Sequence, residues 1–257
     1  MFEAALGKRV GDRLVVITQP NRSRAVLEVA CRSRGQAREL AKEFGGGVEK
    51  LPRDWREQLT QAQKAKPLRI GKRLVVTAVA DPDQVRRMSG RLVIPAGAAF
   101  GTGEHATTAM SLRLLEQITR RWKPGWSIVD LGTGSGILAL AAKRFGAKRV
   151  IAIDLDPLAI STAKQNARLN RIGNVDLRVV NVRRWRFPRR VDIVAANLFS
   201  ELLIEILPKL RPTRLLVLSG ILREQEREFI RALRRSEIKI VHVRRRGKWI
   251  AIAAALG

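Results

Sequence analysis

The chain has 257 residues, of which 46% are hydrophobic, and its formal net charge at neutral pH is +27. This length and hydrophobic content suit one α/β domain with a small additional module. The longest apolar run, Trp249–Leu256, is too short to span a bilayer as a helix, and residues 1–10 lack the pattern of a signal peptide. Because this run is short, we expect no membrane partner. A single cysteine, Cys31, cannot form an internal disulfide, which suits a reducing cytoplasm, so we expect a cytoplasmic protein.

The N-terminal part of the sequence predicts a small α+β domain followed by a connecting helix. Residues 13–18 and 25–31 have strand-like patterns, and residues 33–44 have a helical pattern that ends at three consecutive glycines. We expect residues 1–50 to form this small domain. The polar, helix-prone residues 51–66 are then predicted to form a linker helix to the next domain.

Residues 67–257 predict an α/β domain built on a parallel sheet. The strand patterns lie at 74–79, 91–94, 127–129, 149–154, 175–180, 191–196, 214–219, 238–243 and 248–255. The helix patterns lie at 109–122, 137–147, 157–170, 200–210 and 223–235. Repeated βα units place helices on both faces of a parallel sheet. The last two strands leave no room for a helix between them, so they predict an antiparallel hairpin at the sheet edge. This ending is typical of the seven-stranded, Rossmann-like sheet of class I methyltransferases.

The most informative motif is DLGTGSG at residues 130–136, between a predicted strand and a predicted helix. Its glycines, Gly132, Gly134 and Gly136, have no Cβ and allow a ligand to approach the backbone closely. The following helix N-terminus carries unpaired N–H groups and a partial positive charge. We therefore expect a nucleotide-like ligand at the end of this strand, in contact with the three glycines.

An acidic residue and the glycine spacing narrow the choice of ligand. Asp154 lies 22 residues after Gly132, at the end of the next strand, where a carboxylate can accept hydrogen bonds from ribose hydroxyls. Asp156 is interpreted as the cap of the helix that begins at Pro157. The loop has the spacing GxGxG, and Ile137 occupies the position of the third glycine of a dinucleotide loop. The spacing and the C-terminal hairpin favour S-adenosylmethionine over a dinucleotide as cofactor.

The segment FGTGEHATT, residues 100–108, is predicted to form a loop that covers the cofactor and whose glycines permit movement. Thr107 or Thr108 is predicted to cap the helix that follows. His105 could orient an acceptor in the active site, or it could make only a local hydrogen bond. No Cys/His cluster with metal-ligand spacing accompanies it in the sequence, so we expect no metal site.

Asn197 follows the strand pattern at residues 191–196, so it should lie at the edge of the sheet that lines the ligand crevice. Its amide offers an acceptor to a substrate amine and a donor to the cofactor. We therefore regard it as a candidate for orienting the acceptor. The alternative is that Asn197 caps the helix that begins near Ser200.

Two basic segments are candidates for nucleic-acid binding. Residues 183–190 contain five arginines with Trp185 and Phe187 between them, and residues 231–248 contain eight basic residues and one acidic residue. The two aromatic side chains could stack on bases, or they could anchor the segment to the core while the arginines remain in water.

Five segments together resemble the PrmA family, the lysine methyltransferases of large-subunit ribosomal protein L11. They read AAFGTGEHATT, DLGTGSGILALAAKRFGAKRVIAIDLDP, NARLN, VAANLFSEL and LSGIL. The resemblance runs from about Trp55 to the C-terminus. It implies cofactor contacts at Thr108, Gly132, Asp154 and Asn197, and a substrate-recognition role for the small N-terminal domain.

The resemblance also implies transfer of methyl groups from S-adenosylmethionine to lysine or α-amino groups of a ribosomal protein. A protein substrate that is itself basic should be repelled by a charge of +27. Docking could therefore use ribosomal RNA, or the chain could methylate RNA or another protein. A non-enzymatic RNA-binding protein is a further alternative, but the three glycines and Asp154 argue against it.

Overall fold

The structure is a computed structural model that describes residues 14–17, 26–29, 31, 33–48, 67–78, 90–95, 105–188, 190–210 and 213–256. The chain divides into two compact units, Met1–Leu59 and Thr60–Gly257. The predicted linker helix at residues 51–66 lies outside the described residues.

The first unit contains an antiparallel strand pair and one helix. These elements are β1 (Leu14–Ile17), β2 (Val26–Val29) and α1 (Arg34–Phe44). The side chain of Ser33 accepts a hydrogen bond from the backbone N–H of Gln36 at 3.2 Å and so caps α1. Leu40 is buried against the partly buried Val29, Cys31 and Phe44. The predicted strands and helix are therefore confirmed for the described residues.

The second unit begins with a small sheet and continues with a large one. The small sheet contains β3 (Leu68–Ile70), β4 (Leu74–Thr77) and β5 (Arg91–Val93). The strands of the large sheet are β6 (Ser127–Leu131), β7 (Arg149–Asp154), β8 (Val175–Val179), β9 (Val191–Asn197), β10 (Thr213–Leu222), β11 (Ile238–Arg246) and β12 (Trp249–Leu256). The helices are α2 (Ala106–Thr119), α3 (Ile137–Arg144), α4 (Pro157–Leu169), α5 (Ser200–Ile206) and α6 (Glu226–Arg235).

The large sheet has the strand order β11-β12-β10-β9-β6-β7-β8. Strands β6 to β10 are parallel to one another, whereas β12 runs antiparallel to both β10 and β11. From β6 the chain continues to β7 and β8 on one side of that strand. It later returns, so that β9 pairs with β6 on the other side. The predicted seven-stranded class I methyltransferase sheet with a terminal hairpin is thus confirmed. In open α/β sheets, ligands bind at such a reversal, outside the carboxyl ends of the strands, so this edge beside β6 is where a ligand is expected.

The core lies on both faces of the large sheet. Consecutive residues of β6 point to opposite sides, so Ile128 packs in one buried cluster and Val129 in the other. Leu112 of α2 belongs to the first cluster, and Phe229 of α6 belongs to the second. Burial on both faces makes the sheet a firm support for the loops at its carboxyl edge.

Helix α2 begins and ends three residues earlier than predicted, at Ala106 and Thr119. Its cap is His105, whose Nδ1 accepts a hydrogen bond from the backbone N–H of Thr107 at 3.4 Å. The prediction that Thr107 or Thr108 caps this helix is therefore wrong, because both threonines lie inside its first turn and are buried. The preceding loop residues 100–104 lie outside the described residues.

Three smaller differences concern short elements. Strand β3 was not predicted. The helix predicted over residues 200–210 is α-helical only to Ile206 and continues as a 3₁₀-helix over Leu207–Leu210, where Pro208 has no backbone N–H to donate. The helix predicted from residue 223 begins as a 3₁₀ turn before α6. Among the helices described, none combines the length and hydropathy needed to cross a membrane.

Candidate functional site

The candidate site lies at the carboxyl edge of the large sheet, where three neighbouring strands end. The glycine loop follows β6, Asp154 ends β7 and Asn197 ends β9. Because these strands are parallel and adjacent, their carboxyl ends meet at one edge. The structure therefore brings the predicted glycines, Asp154 and Asn197 to the same region.

The glycine loop has a backbone that other residues adopt with strain. Gly132, Gly134 and Gly136 have φ angles of +67°, +53° and +83°. A Cβ on Gly132 would overlap the side chain of Leu198, and one on Gly136 would lie 2.9 Å from the Cβ of Ala163. The close approach of Gly132 to Leu198 places the glycine loop directly against the residue that follows Asn197.

Hydrogen bonds from neighbouring elements fix the path of this loop. The backbone N–H groups of Gly132 and Thr133 both donate to the carbonyl of Ile153, at 2.9 and 3.0 Å. From α4, Nδ2 of the buried Asn166 donates to the carbonyl of Ser135 at 2.8 Å. The loop is therefore fixed by groups from β7 on one side and from α4 on the other.

Asp154 connects the end of β7 to the glycine loop. Its Oδ2 accepts a hydrogen bond from the N–H of Gly134 at 2.9 Å, and its Oδ1 accepts one from the N–H of Asp156 at 3.0 Å. Each carboxylate oxygen has a second lone pair, so both retain capacity for a ligand hydroxyl. Asp156 in turn accepts from the N–H of Leu158 at 2.8 Å and caps α4 ahead of Pro157, as predicted.

Asp130 is a further acidic residue of this region, and the motif alone does not reveal its role. Its side chain is buried, and its Oδ2 accepts hydrogen bonds from Oγ1 of Thr133 at 2.6 Å and from the N–H of Ala139 at 3.2 Å. It thereby supplies the side-chain cap that Gly136, the residue before α3, cannot provide. Its Oδ1 is buried and has no hydrogen-bond partner among the described residues.

The environment of Asp130 opposes its negative charge. Burial raises the pKa of this carboxyl from its ordinary value of 3.8 to about 7, and the nearby charge of Asp154 adds to the effect. The hydrogen bonds from Thr133 and Ala139 act in the opposite direction. A cationic ligand beside the glycine loop would therefore stabilise the ionised form of Asp130.

Asn197 is joined to the first turn of α2. Its Nδ2 donates to Oγ1 of Thr108 at 3.4 Å, so two predicted site residues from distant parts of the chain are in contact. Helix α5 begins at Ser200 with Phe199 as its cap residue and has no side-chain capping bond. The alternative that Asn197 caps this helix is therefore wrong.

Ser219 and Gly220 support the end of β9 from the adjacent strand. The buried Oγ of Ser219 lies 3.4 Å from the carbonyl of Thr107, and the N–H of Leu198 donates to the carbonyl of Ser219 at 3.0 Å. Gly220 has a φ of +91°, and a Cβ there would overlap the backbone of Leu198. Gly220 therefore permits a close approach that determines where Asn197 and its neighbours lie.

His105 makes the local hydrogen bond that was one of its two predicted roles. Its Nδ1 lies 2.7 Å from Oγ1 of Thr107, and its ring packs edge-on against Trp249 with 5.2 Å between ring centroids. Burial and the positive charge of Lys248 lower the pKa of His105, which favours the neutral imidazole. A direct role in catalysis stays a prediction. Among the described residues no group of three His, Cys, Asp or Glu could hold a metal ion.

Asn166 and Asn170 connect the small sheet to the glycine loop. Oδ1 of Asn170 accepts from the N–H of Val93, and its Nδ2 donates to the carbonyl of the same residue, both at 2.7 Å. Its Nδ2 also donates to the carbonyl of Asn166, whose own side chain binds Ser135. Both asparagines belong to the NARLN segment, but Val93 and Ser135 are distant from them in sequence.

Two exposed apolar side chains, which we call the apolar rim, lie close in sequence to the site residues. Phe199 is 73% exposed and Leu155 is 67% exposed, although both are large apolar side chains. Each lies within two residues of a site residue, Asn197 or Asp154. Exposed apolar side chains beside polar site residues favour contact with an uncharged part of a substrate.

These groups fit a cofactor that combines a ribose with a positively charged part. Asp154 offers carboxylate oxygens to hydroxyl groups, and Asp130, whose buried Oδ1 has no partner among the described residues, would supply a negative charge when ionised. The three glycines add no Cβ atoms to the loop. S-adenosylmethionine carries both the ribose and the positive charge, and it has no pyrophosphate for the loop to bind.

The first basic segment has a structural role for its aromatic residues. Trp185 and Phe187 pack against each other with 4.8 Å between centroids, and both are partly buried against the core. Arg183 forms an ion pair with Glu205 at 2.9 Å. The interpretation that these aromatics anchor the segment to the core is confirmed.

Comparison with known proteins agrees with this geometry. Residues 12–256 match the model of the family described as ribosomal protein L11 methyltransferase (PrmA). The chain is 40% identical over 198 residues to a ribosomal protein L11 methyltransferase of Pelotomaculum thermopropionicum, covering 74% of this chain and 62% of the relative. It is 36% identical over 204 residues to the protein of that name from Symbiobacterium thermophilum, covering 77% and 66%.

A solved structure agrees as well. The crystal structure of a ribosomal protein L11 methylase from Lactobacillus delbrueckii subsp. bulgaricus has a TM-score of 0.63 and 28% sequence identity. The match covers 74% of this chain and 98% of that one. The matches to the two curated relatives span somewhat less than two thirds of those proteins' own length. On the family match and the sequence identity, the chain belongs to the ribosomal protein L11 methyltransferase (PrmA) family.

Proposed function

We propose that this chain transfers methyl groups from S-adenosylmethionine to amino groups of ribosomal protein L11. The observation that carries the proposal is the carboxylate of Asp154, which is hydrogen-bonded to the N–H of Gly134 at the reversal point of the sheet. Membership of the PrmA family and the names of the relatives support L11 as the substrate. A ribosomal substrate also supports a cytoplasmic location.

The residues that would hold the cofactor follow from the site geometry. S-adenosylmethionine, when bound, supplies a methyl group already activated by a positively charged sulfur. Asp154 would accept hydrogen bonds from the ribose hydroxyls, and the ionised Asp130 would place a negative charge near the cationic part. Gly132 and Gly136 would keep the loop packed against Leu198 and Ala163, and the cofactor would lie against the backbone that the three glycines shape.

Asn197 is our candidate for orienting the acceptor amine. Its Nδ2 donates to Thr108, which leaves Oδ1 to accept a hydrogen bond from the attacking nitrogen. The amine must be neutral before it can attack. Transfer to the apolar rim near Phe199 would lower its pKa, and the released proton would go to solvent. Most of the rate would come from positioning, because the methyl donor is already activated.

Substrate recognition would involve two further parts of the molecule. We assign residues 1–50 as the recognition domain and residues 51–66 as its linker, supported by the compact unit Met1–Leu59. We also propose contact with ribosomal RNA. The net charge of +27, which does not suit a basic protein substrate alone, supports this contact.

The proposed function is tested by incubating purified L11 with the chain and S-adenosylmethionine and counting added methyl groups by mass spectrometry. With the wild-type chain, we expect the mass of L11 to increase in steps that each correspond to one methyl group. Asn197→Ala should lower kcat at least tenfold, because the acceptor loses its orienting group. Gln165→Ala, which removes an exposed amide from α4, is the control and should leave kcat unchanged. Cofactor binding without any modification of L11 would overturn the proposed substrate.

A further inference from the structure

The edge strand β11 presents basic side chains with different partners on its two faces. Arg245 points toward α6, where its Nε donates to Glu226 at 3.1 Å. Arg244 points toward α2, where its Nη2 donates to Oε1 of Gln117 at 2.9 Å. Because side chains alternate along a strand, Arg246 lies on the same face as Arg244. The arginine on the α6 face therefore has a carboxylate partner, whereas those on the α2 face have none among the described residues.

Helix α2 adds a third guanidinium to this face. Arg113 lies one turn before Gln117 on α2, so it shares the helix face that contacts Arg244. Burial lowers the pKa of Arg113, and the positive charges of Arg246 and Arg244 lower it further. Nε of Arg244 is buried without a hydrogen-bond partner among the described residues. Like charges gathered without a counter-charge are unfavourable, and an anion bound there would relieve the repulsion.

This basic face extends to the candidate site. Arg246 lies opposite Trp249 in the β11–β12 pair, and the ring of Trp249 packs against His105. Nζ of Lys248 lies 5.5 Å from the centroid of the same ring. His105 immediately precedes α2, whose first turn carries the Thr108 that contacts Asn197. A polyanion bound along this face would therefore pass beside the site.

We propose that Arg113, Arg244, Arg246 and Lys248 bind the phosphates of an RNA strand beside the methyl-transfer site. The inference rests on the proposed function, in which the substrate is a ribosomal protein that accompanies RNA. Side chains two residues apart on a strand are separated by about 6.8 Å, which is comparable with the spacing of neighbouring phosphates in an extended strand. Three of the four residues are arginines, whose planar guanidinium groups bind phosphate through paired hydrogen bonds.

The test measures binding of a fluorescein-labelled single-stranded RNA by fluorescence anisotropy over a series of salt concentrations. The variant is Arg244→Gln combined with Arg246→Gln. The control is Arg234→Gln combined with Arg235→Gln, which removes the same charge from exposed positions of α6. At about 0.1 M salt we expect at least tenfold weaker binding for the β11 variant. The slope of the logarithm of the binding constant against the logarithm of the salt concentration should be smaller in magnitude by about 1.4. We expect less than twofold weakening for the control.

Three results would overturn this inference. The first is no RNA binding by wild-type chain at low salt, and the second is equal weakening in both double variants. The third is displacement of the RNA by poly-glutamate of equal charge at equal concentration, which would indicate a site for acidic proteins. Thermal unfolding of both variants confirms that they are folded. Methylation of free L11 by the wild-type chain, assayed without RNA, tests the proposed function separately. Failure of the RNA-binding inference can therefore be distinguished from failure of the proposed function.

Discussion

Asp130 and Asp154 are carboxylates at the ends of adjacent strands, yet their surroundings differ. Asp130 is 1% exposed and accepts hydrogen bonds that build the start of α3. Asp154 is partly exposed, and its donors, Gly134 and Asp156, are themselves accessible to water. The comparison teaches that position at a strand end does not determine the role of an acid. We infer that Asp130 primarily stabilises the loop, whereas Asp154 is the carboxylate that we propose for ligand binding.

The largest expected effect on stability is that of Asp130→Ala. The change leaves the hydroxyl of Thr133 and the N–H of Ala139 buried without an acceptor, which should lower the free energy of unfolding by about 2–4 kcal/mol. Asp154→Ala should cost about 1 kcal/mol or less, because water can reach the donors that it loses. Urea denaturation of both variants measures the difference. Equal losses would contradict the division of roles.

A second prediction concerns pH. Folded Asp130 keeps its proton up to about pH 7, whereas the unfolded carboxyl loses it near its ordinary pKa of 3.8. The folded state therefore binds more protons in this range, and the contribution of Asp130 to stability falls as the pH rises from about 4 to 7. Asp130→Asn cannot ionise and should abolish this contribution.

The pH prediction is checked by urea denaturation of wild-type chain and Asp130→Asn at several pH values between 5 and 8. The free energy of unfolding of the variant, relative to wild type, should increase up to about pH 7 and then level off. A relative stability that does not change with pH would show that Asp130 titrates at its ordinary pKa.

Much of this site could be predicted from the sequence because its signals are local. The GxGxG spacing and the position of Asp154 after the next strand depend only on chain order, as does the short link that forces β11 and β12 into a hairpin. The role of Asp130 could not be predicted in this way. It depends on how the loop turns back to place Ala139 against a carboxylate nine residues earlier.

The missed features depend on short elements or on distant contacts. Strand β3 has only three residues, too few for a hydrophobic period to be recognised. The bonds between Asn170 and Val93 join positions 77 residues apart. The sequence predicts too late a start for α2 because threonine is a common cap, whereas His105 fills that position in the structure.

A smaller effect is expected for Asn166→Ala, which removes the support of the loop from α4. The carbonyl of Ser135 loses the hydrogen bond from the buried Nδ2 of Asn166, so stability should fall by about 1–2 kcal/mol and cofactor affinity by a fewfold. Gln165→Ala on the exposed face of the same helix should stay within about 0.5 kcal/mol of wild type. Urea denaturation and calorimetry give the two quantities, and matching behaviour of the two variants would exclude a role for Asn166 in holding the loop.

The central claim, that Asp154 binds the cofactor at the end of β7, is tested most directly by calorimetric titration of S-adenosylmethionine into wild-type chain and Asp154→Asn at pH 8. The substitution keeps the size of the side chain and removes its charge. We predict saturable binding with one site for wild type and at least a hundredfold weaker binding for the variant, with an unchanged unfolding midpoint. Equal affinity of the two proteins would contradict the claim.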